Sequence, residues 1–401
     1  MLTLYLSYFG LREPLSQTQV LPYLRGLVRD GVGVHLLTFE PGWPRSWGEQ
    51  ERRAWRERLR EDGIEWEALA YHKKPSALAT LYDIFVGTLA AVRLGRRERI
   101  DVLHARAHIP LVMALLARRL CRSKIVFDIR GLVADEYVDA GVWRMTGLVY
   151  KTIKWIERVG VARAEKVVVL TERMFAWLVA EMKADPAKIE VIPCCADFSR
   201  FDGKSPDAAP EIGFTDRFEV VYAGSVTGLY LLEEMGRFFL ALRERRRDAY
   251  LRILTVSPAA EASKTLGRIG LREEDYWIGA APPSEIPAYL RRAKVGLSFR
   301  KPTFSQIAAS PTKIPEYLAA GIPVVSNTGI GDTDRALLDD RTGVIVKDFN
   351  RDAYDEAVVA LLKLLDDAEL AARCRRSAYE RFDLEKVGAE RYRRLYQRIL
   401  E

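Results

Sequence analysis

The sequence predicts an α/β protein made of two similar halves, each a parallel sheet with helices on both faces. Three observations carry this. Short apolar runs alternate with helical patterns along almost the whole chain, as repeated strand–helix–strand units require. The 401 residues are enough for two domains with separate cores. The alternation breaks once, at residues 193–216, a stretch rich in Pro, Asp, Gly and Ala with no long apolar period. Domains are therefore expected at residues 1–195 and 196–383, with a basic amphipathic helix over 384–401 at the end.

Strands are expected in the first half at residues 2–6, 34–39, 102–104, 125–128, 167–170 and 189–192. In the second half they fall at 219–223, 251–256, 276–278, 295–299, 323–326 and 343–346. The start, Met1-Leu2-Thr3-Leu4-Tyr5-Leu6, has no basic flank or cleavage site and reads as a first strand, not a signal peptide. No run approaches the ~18–20 apolar residues of a membrane span, so none is expected. The four cysteines, two of them adjacent, suggest neither a disulfide framework nor a metal spacing, which suits a reducing cytoplasm. Net charge is +7, and residues 1–200 hold all of the excess, with 31 Lys/Arg against 24 Asp/Glu. That asymmetry favours an anionic partner for the first half, such as a lipid surface or a lipid diphosphate; a solvated Arg-rich surface gives the same count.

The loop after the first strand, Tyr8 to Gln19, lies where open sheets bind ligands. Ser16 and Gln17 are its candidate hydrogen-bonding groups, and a helix cap is the competing role for Ser16. Trp43, Trp47 and Trp55 alternate with Arg52, Arg53, Arg56, Arg58 and Arg60, and an apolar helix over 77–94 ends in Arg93, Arg96, Arg97 and Arg99. Aromatics beside cations suit a lipid headgroup region, and a packed helix with a solvated face is the plainer alternative. No nucleic-acid module is recognisable. His104, Arg106 and His108 follow a strand. The histidines are four apart, but Pro110 delays the helix past them, so they are assigned polar contacts lining a cleft rather than a metal. Asp128 and Arg130 end the next strand. Asp128 is expected to point away from Arg130, and Asp135 and Glu136 are the other nearby carboxylates.

In the second half Gly224 and Ser225 open a small-residue turn that lets backbone approach a phosphate. Ile278-Gly279-Ala280-Ala281-Pro282 is another small-residue loop. An apolar strand then ends at Arg300-Lys301, and a short helix is expected from Thr312, after Pro311, to Gly321. Lys313 sits in its first turn, where it opposes the helix dipole unless an anion is near. Glu316 is one turn on, on the same face. One cation for phosphate and one carboxylate for sugar hydroxyls would equip a nucleotide site; a surface ion pair is the alternative.

The string Pro311-Thr312-Lys313-x-x-Glu316-Tyr317-Leu318-Ala319-Ala320-Gly321-x-Pro323-Val324-Val325 resembles the donor-site segment of retaining glycosyltransferases of family 4. The resemblance covers nearly the full chain. It implies the GT-B fold, two Rossmann-like domains whose parallel sheets face an interdomain cleft, with the terminal helix crossing back onto the N-terminal domain. It implies a nucleoside diphosphate sugar as donor, UDP ahead of GDP, with no cofactor and no metal. Gly224, Ser225, Ala280, Ala281, Pro311, Thr312, Lys313 and Glu316 are then the expected donor contacts, and Ser16, Gln17, His104 and Arg106 the acceptor contacts. Lys313, Arg300, Arg130 and Asp128 are expected at the reacting bond, with no catalytic base assigned. The acceptor is expected to be lipid-linked or a polysaccharide of the cell envelope, at the cytoplasmic face of the membrane. Departures from the family stand at Cys194, Cys195 and Ala196, at Arg130 in place of a histidine, and at Ala308 in place of the first glutamate of the Glu-x7-Glu pattern. The usual Arg and Lys after the Gly224 turn are also missing. A GT-B nucleotide-sugar epimerase and a non-catalytic nucleotide-sugar-binding subunit are the competing functions.

Overall fold

The computed structural model describes residues 1–74, 76–201 and 217–400. The chain divides into two compact units, residues 1–193 with 388–401, and residues 194–387. Much of the expected linker, residues 202–216, lies outside the described residues.

The first unit is a seven-stranded parallel sheet of β1 (Leu2–Ser7), β2 (Gly33–Pro41), β3 (Ile64–Tyr71), β4 (Val102–Arg106), β5 (Lys124–Asp128), β6 (Lys166–Val169) and β7 (Ile189–Val191). Its order is β3-β2-β1-β4-β5-β6-β7. The strands that read as continuous apolar runs are the central ones, buried on both faces. β3 escapes the sequence reading: it is an edge strand with two glutamates, and its alternation is diluted by a half-exposed face. The terminal segment is a wide-turn helix, Leu384–Ala389, followed by an α-helix, Glu390–Leu400. The α-helix belongs to the first unit, where Tyr392 and Tyr396 are buried against the sheet and the Tyr396 hydroxyl meets Thr3 at 3.0 Å.

The helix Ser76–Arg97 corrects one expectation: at 22 residues it is long and apolar enough to cross a membrane by composition. In the structure it packs on the unit instead. Ala79, Ala90, Ala91 and Leu94 are buried, and a Cβ on Gly87 would lie 2.6 Å from the Met113 sulfur. The tryptophan-rich stretch is corrected as well. Trp43, Trp47 and Trp66 pack on one another with ring centroids 5.4–6.1 Å apart, and Trp47 is 2% exposed. These rings are tertiary packing, whereas Leu78, Leu81, Tyr82, Phe85 and Leu89 of the long helix are the exposed apolar side chains.

The second unit is a six-stranded parallel sheet of β8 (Phe218–Ala223), β9 (Ala249–Leu254), β10 (Tyr276–Gly279), β11 (Val295–Ser298), β12 (Val324–Asn327) and β13 (Gly343–Val346), in the order β10-β9-β8-β11-β12-β13. Two buried clusters flank it. One is built on Phe238, Phe239, Leu242 and Val358, the other on Tyr289, Tyr317, Leu318 and Cys374. Inside lies a buried ion pair, Arg252 to Glu219 at 2.8 and 3.0 Å, with the guanidinium 5.3 Å from the Trp277 ring. In both sheets the chain reverses its direction of progress beside the first strand, between β1 and β4 and between β8 and β11. Such switch points open a crevice at the carboxyl ends of the strands.

Candidate active site

The crevice of the second unit is built by the turn after β8, the loop after β11 and the helix Lys313–Ala319. Gly224 takes φ +142°, and a Cβ there would lie 3.0 Å from Lys313 Nζ. The Lys313 side chain, 5% exposed, places Nζ 4.8 Å from the centre of the Tyr222 ring and 4.3 Å from that of Tyr230. Arg300 comes from the other strand of the switch point. Its Nε donates to Gln306 Oε1 at 2.6 Å, one terminal nitrogen donates to the Tyr230 hydroxyl at 3.2 Å, and the guanidinium lies 4.8 Å from the Tyr230 ring centre. Two cations thus share one aromatic ring. Among the described residues neither has a carboxylate partner. Burial, and then repulsion from Arg300, hold the Lys313 amine down to about 7, with Glu316 opposing weakly. A cation and a second, partly protonated one beside a backbone turn that admits close approach have the chemistry an anion would suit.

Glu316 is half-buried, and its Oε1 accepts from Arg200 at 2.9 Å. Arg200 also donates to the Pro283 carbonyl at 2.6 Å, in the loop that follows Ala280 and Ala281. Ala280 is exposed and Ala281 half-buried. Pro311 is buried, and Thr312 precedes the helix without a side-chain cap bond. Ser310 Oγ accepts from the Cys194 backbone at 3.1 Å. Ala308, where the first glutamate of the family pattern would stand, is fully buried. The sequence-predicted Gly224, Arg300 and Lys313 are therefore brought together, and Glu316 is engaged by a residue that the sequence reading passed over. Arg200 had no signal of its own, standing alone in the linker region.

The first unit departs further from expectation. The expectation that Asp128 and Arg130 point apart is corrected: residues two apart on a strand share a face, and the two side chains meet, Arg130 to Asp128 at 3.8 Å. Asp128 has no exposed surface. It also takes Arg106 at 3.4 Å and the Tyr392 hydroxyl at 3.2 Å, so it anchors an interior network instead of facing a ligand. His104 is likewise buried, its Nδ1 2.8 Å from the Tyr396 hydroxyl, and burial pushes its pKa down to about 4, leaving it neutral. His104 and Arg106 are corrected from cleft-lining contacts to interior groups: Tyr392 and Tyr396 of the terminal helix cover His104, and Arg106 turns inward onto Asp128 and Tyr5. Ser16 sits inside the helix Pro14–Gln19, 2% exposed, and neither caps it nor reaches the surface; Gln17 donates to the Leu11 carbonyl at 3.2 Å. Arg130 keeps a partly exposed side chain.

One polar cluster of this unit went unnoticed in the sequence. Asp83, fully buried in the long apolar helix, accepts from the Tyr8 hydroxyl at 2.8 Å and the His72 backbone at 3.0 Å, and lies 2.6 Å from His72 Nδ1. A lone carboxylate inside an apolar period was the available signal.

Residues 16–195 match the family model described as glycosyl transferase 4-like domain, and residues 217–364 match glycosyl transferases group 1. D-inositol 3-phosphate glycosyltransferase of Salinispora arenicola is 26% identical over 233 residues, 53% of this chain; the chain spans about half (49%) of that relative's length. Among solved structures, Anabaena Alr3699/HepE, in complex with UDP and glucose, aligns at a TM-score of 0.71 and 14% identity over 98% of this chain and 99% of that one. Sucrose-phosphate synthase from Thermosynechococcus elongatus aligns at 0.73 and 15% over 100% and 99%. A putative UDP-N-acetylglucosamine 2-epimerase from Listeria monocytogenes aligns at 0.59 and 14% over 99% and 96%. These likenesses establish the fold. With two family models that together span both sheets, the chain belongs to the group 1 glycosyltransferases of GT-B fold.

Proposed function

We propose that this glycosyltransferase moves a sugar from a nucleoside diphosphate, UDP ahead of GDP, to a lipid-linked or glycan acceptor of the cell envelope. It does so with retention, without a metal, at the inner face of the plasma membrane. The observation that carries the donor half is the pair Lys313 and Arg300 beside Gly224 at the switch point of the second sheet, two cations without a carboxylate partner among the described residues. Breaking the bond between sugar and phosphate leaves a diphosphate with more negative charge than the donor carried there. Fixed cations in a water-poor crevice stabilise that change without reorganising. Lys313 gains most, because the anion restores the proton its burial disfavours. The leaving phosphate oxygen then takes the acceptor proton on the same face of the sugar. This accommodates retention and fits the enclosure of Asp128 and His104. Arg130, with its partly exposed guanidinium, is assigned to the transferred sugar or its phosphate.

The acceptor and membrane parts rest on the first unit. Among the described residues it holds fifteen of the twenty exposed large apolar side chains, and residues 1–200 hold the excess positive charge. The stripe on Ser76–Arg97 ends in Arg96 and Arg97, a pattern suited to an anionic interface.

A thermal-shift screen of UDP-, GDP- and ADP-sugars tests the donor reading, since a ligand of the native state raises its Tm. A uridine or guanosine diphosphate sugar is expected to give the largest shift. No shift with any of them rejects the nucleotide site. Turnover without an acceptor would point to an epimerase.

A further inference from the structure

Arg200 sits in a short turn, Phe198–Arg200, that the chain builds with care. Asp197 Oδ1 accepts from the Ser199 backbone at 3.0 Å and from its hydroxyl at 2.6 Å. Phe198 packs edge-on against Tyr379 at 5.7 Å, and the Arg200 guanidinium lies 5.7 Å from the Phe201 ring centre. The arginine leaving this turn spans two parts of the donor site. One terminal nitrogen holds Glu316 Oε1 at 2.9 Å and the other holds the Pro283 carbonyl at 2.6 Å. Both members of the ion pair are only partly exposed, 24% and 19% of their side chains, so the pair is shielded more than a surface one.

Two consequences follow from the chemistry. A carboxylate tied through one oxygen has a fixed plane, and its second oxygen is left to accept from a vicinal diol. The positive partner also cancels the Glu316 charge, which would otherwise repel a diphosphate. Resting on the nucleotide reading above, we infer that Arg200 is a positioning residue that sets Glu316 to recognise a ribose through its 2′-hydroxyl and ties it to the loop at Pro283.

The test uses the full chain and whichever of UDP, GDP or ADP the wild type binds, with the matching 2′-deoxy diphosphate and the monophosphate, by calorimetry. Arg200→Ala is expected to weaken the diphosphate roughly tenfold, the scale of one charge-assisted hydrogen bond. The preference for ribose over deoxyribose falls towards one, while the ratio of diphosphate to monophosphate affinity holds. Glu316→Gln is expected to lose the same ribose preference, and the double variant no more than either single one. Arg200→Lys keeps the charge and recovers part of the preference, and serves if the alanine variant does not fold. An unchanged ribose preference in the variants overturns the inference, because a merely structural pair would not alter it. Tighter binding by Arg200→Ala also overturns it, since the arginine would then be occupying the nucleotide's seat. Failure of the wild type to bind any of the three nucleotides removes the parent reading, and this one with it.

Discussion

Diphosphate binding is expected to draw a proton onto Lys313. Burial and Arg300 hold the free amine down to about 7. Roughly nine-tenths of it is then charged at pH 6, and roughly one-tenth at pH 8. A bound diphosphate favours the ammonium, so UDP takes up close to one proton per site at pH 8 and almost none at pH 6. Affinity accordingly declines as pH rises above about 7, by up to roughly tenfold per pH unit while the bound amine stays protonated. The assay is titration calorimetry at pH 8 in two buffers of different ionisation enthalpy, repeated at pH 6. Lys313→Ala is expected to abolish the uptake and to cost about 1.5–3 kcal/mol of binding at pH 6, the range for a hydrogen bond to a charged group. Identical heats in both buffers, or an unchanged Kd in the variant, would refute the electrostatic account of the site.

The same lysine shapes stability without ligand. The unfolded chain binds more protons than the folded one between about pH 7 and the ordinary lysine value, so this group makes stability rise with pH across that window; Lys313→Met is expected to flatten the rise in urea melts. Gly224→Ala puts a methyl 3.0 Å from Lys313 Nζ, in a backbone region that favours glycine, and is expected to weaken UDP binding and lower Tm, as calorimetry and thermal melts would show. Arg252→Met strands Glu219 in the core of the second unit and is expected to cost about 3–5 kcal/mol in denaturant unfolding. Reversing Arg96 and Arg97 to Glu is expected to reduce sedimentation with anionic vesicles and make it less salt-sensitive; equal sedimentation rejects the membrane face.

The fold was legible because buried parallel strands are written as apolar runs, and twelve of the thirteen observed strands carry that signature. β3 was not legible, since an edge strand need not be apolar on both faces. In the donor site, Gly224 and Arg300 could be placed because each follows a recognisable strand end, and Lys313 because it opens a helix bounded by Pro311 and Gly321. Arg200 could not, for its role depends on a contact with Glu316 across 116 positions. Arg130 was misjudged: residues two apart on a strand share a face, so its approach to Asp128 was legible in the spacing. His104 misled because the tyrosines that cover it return from far along the chain, Tyr396 across 292 positions, and Arg106 because its partners Tyr5 and Asp128 lie on neighbouring strands.

That return bears on how the protein is made. Tyr392 and Tyr396, which seal Asp128 and His104, leave the ribosome only after the whole intervening unit, residues 194–387. The amino-terminal half is synthesised early but stays open beside Asp128 and His104 until these tyrosines emerge, while the intervening unit can already be complete. A nascent chain stalled before residue 390 would present that gap to chaperones and proteases, so deleting residues 390–400 should damage the half of the molecule made first.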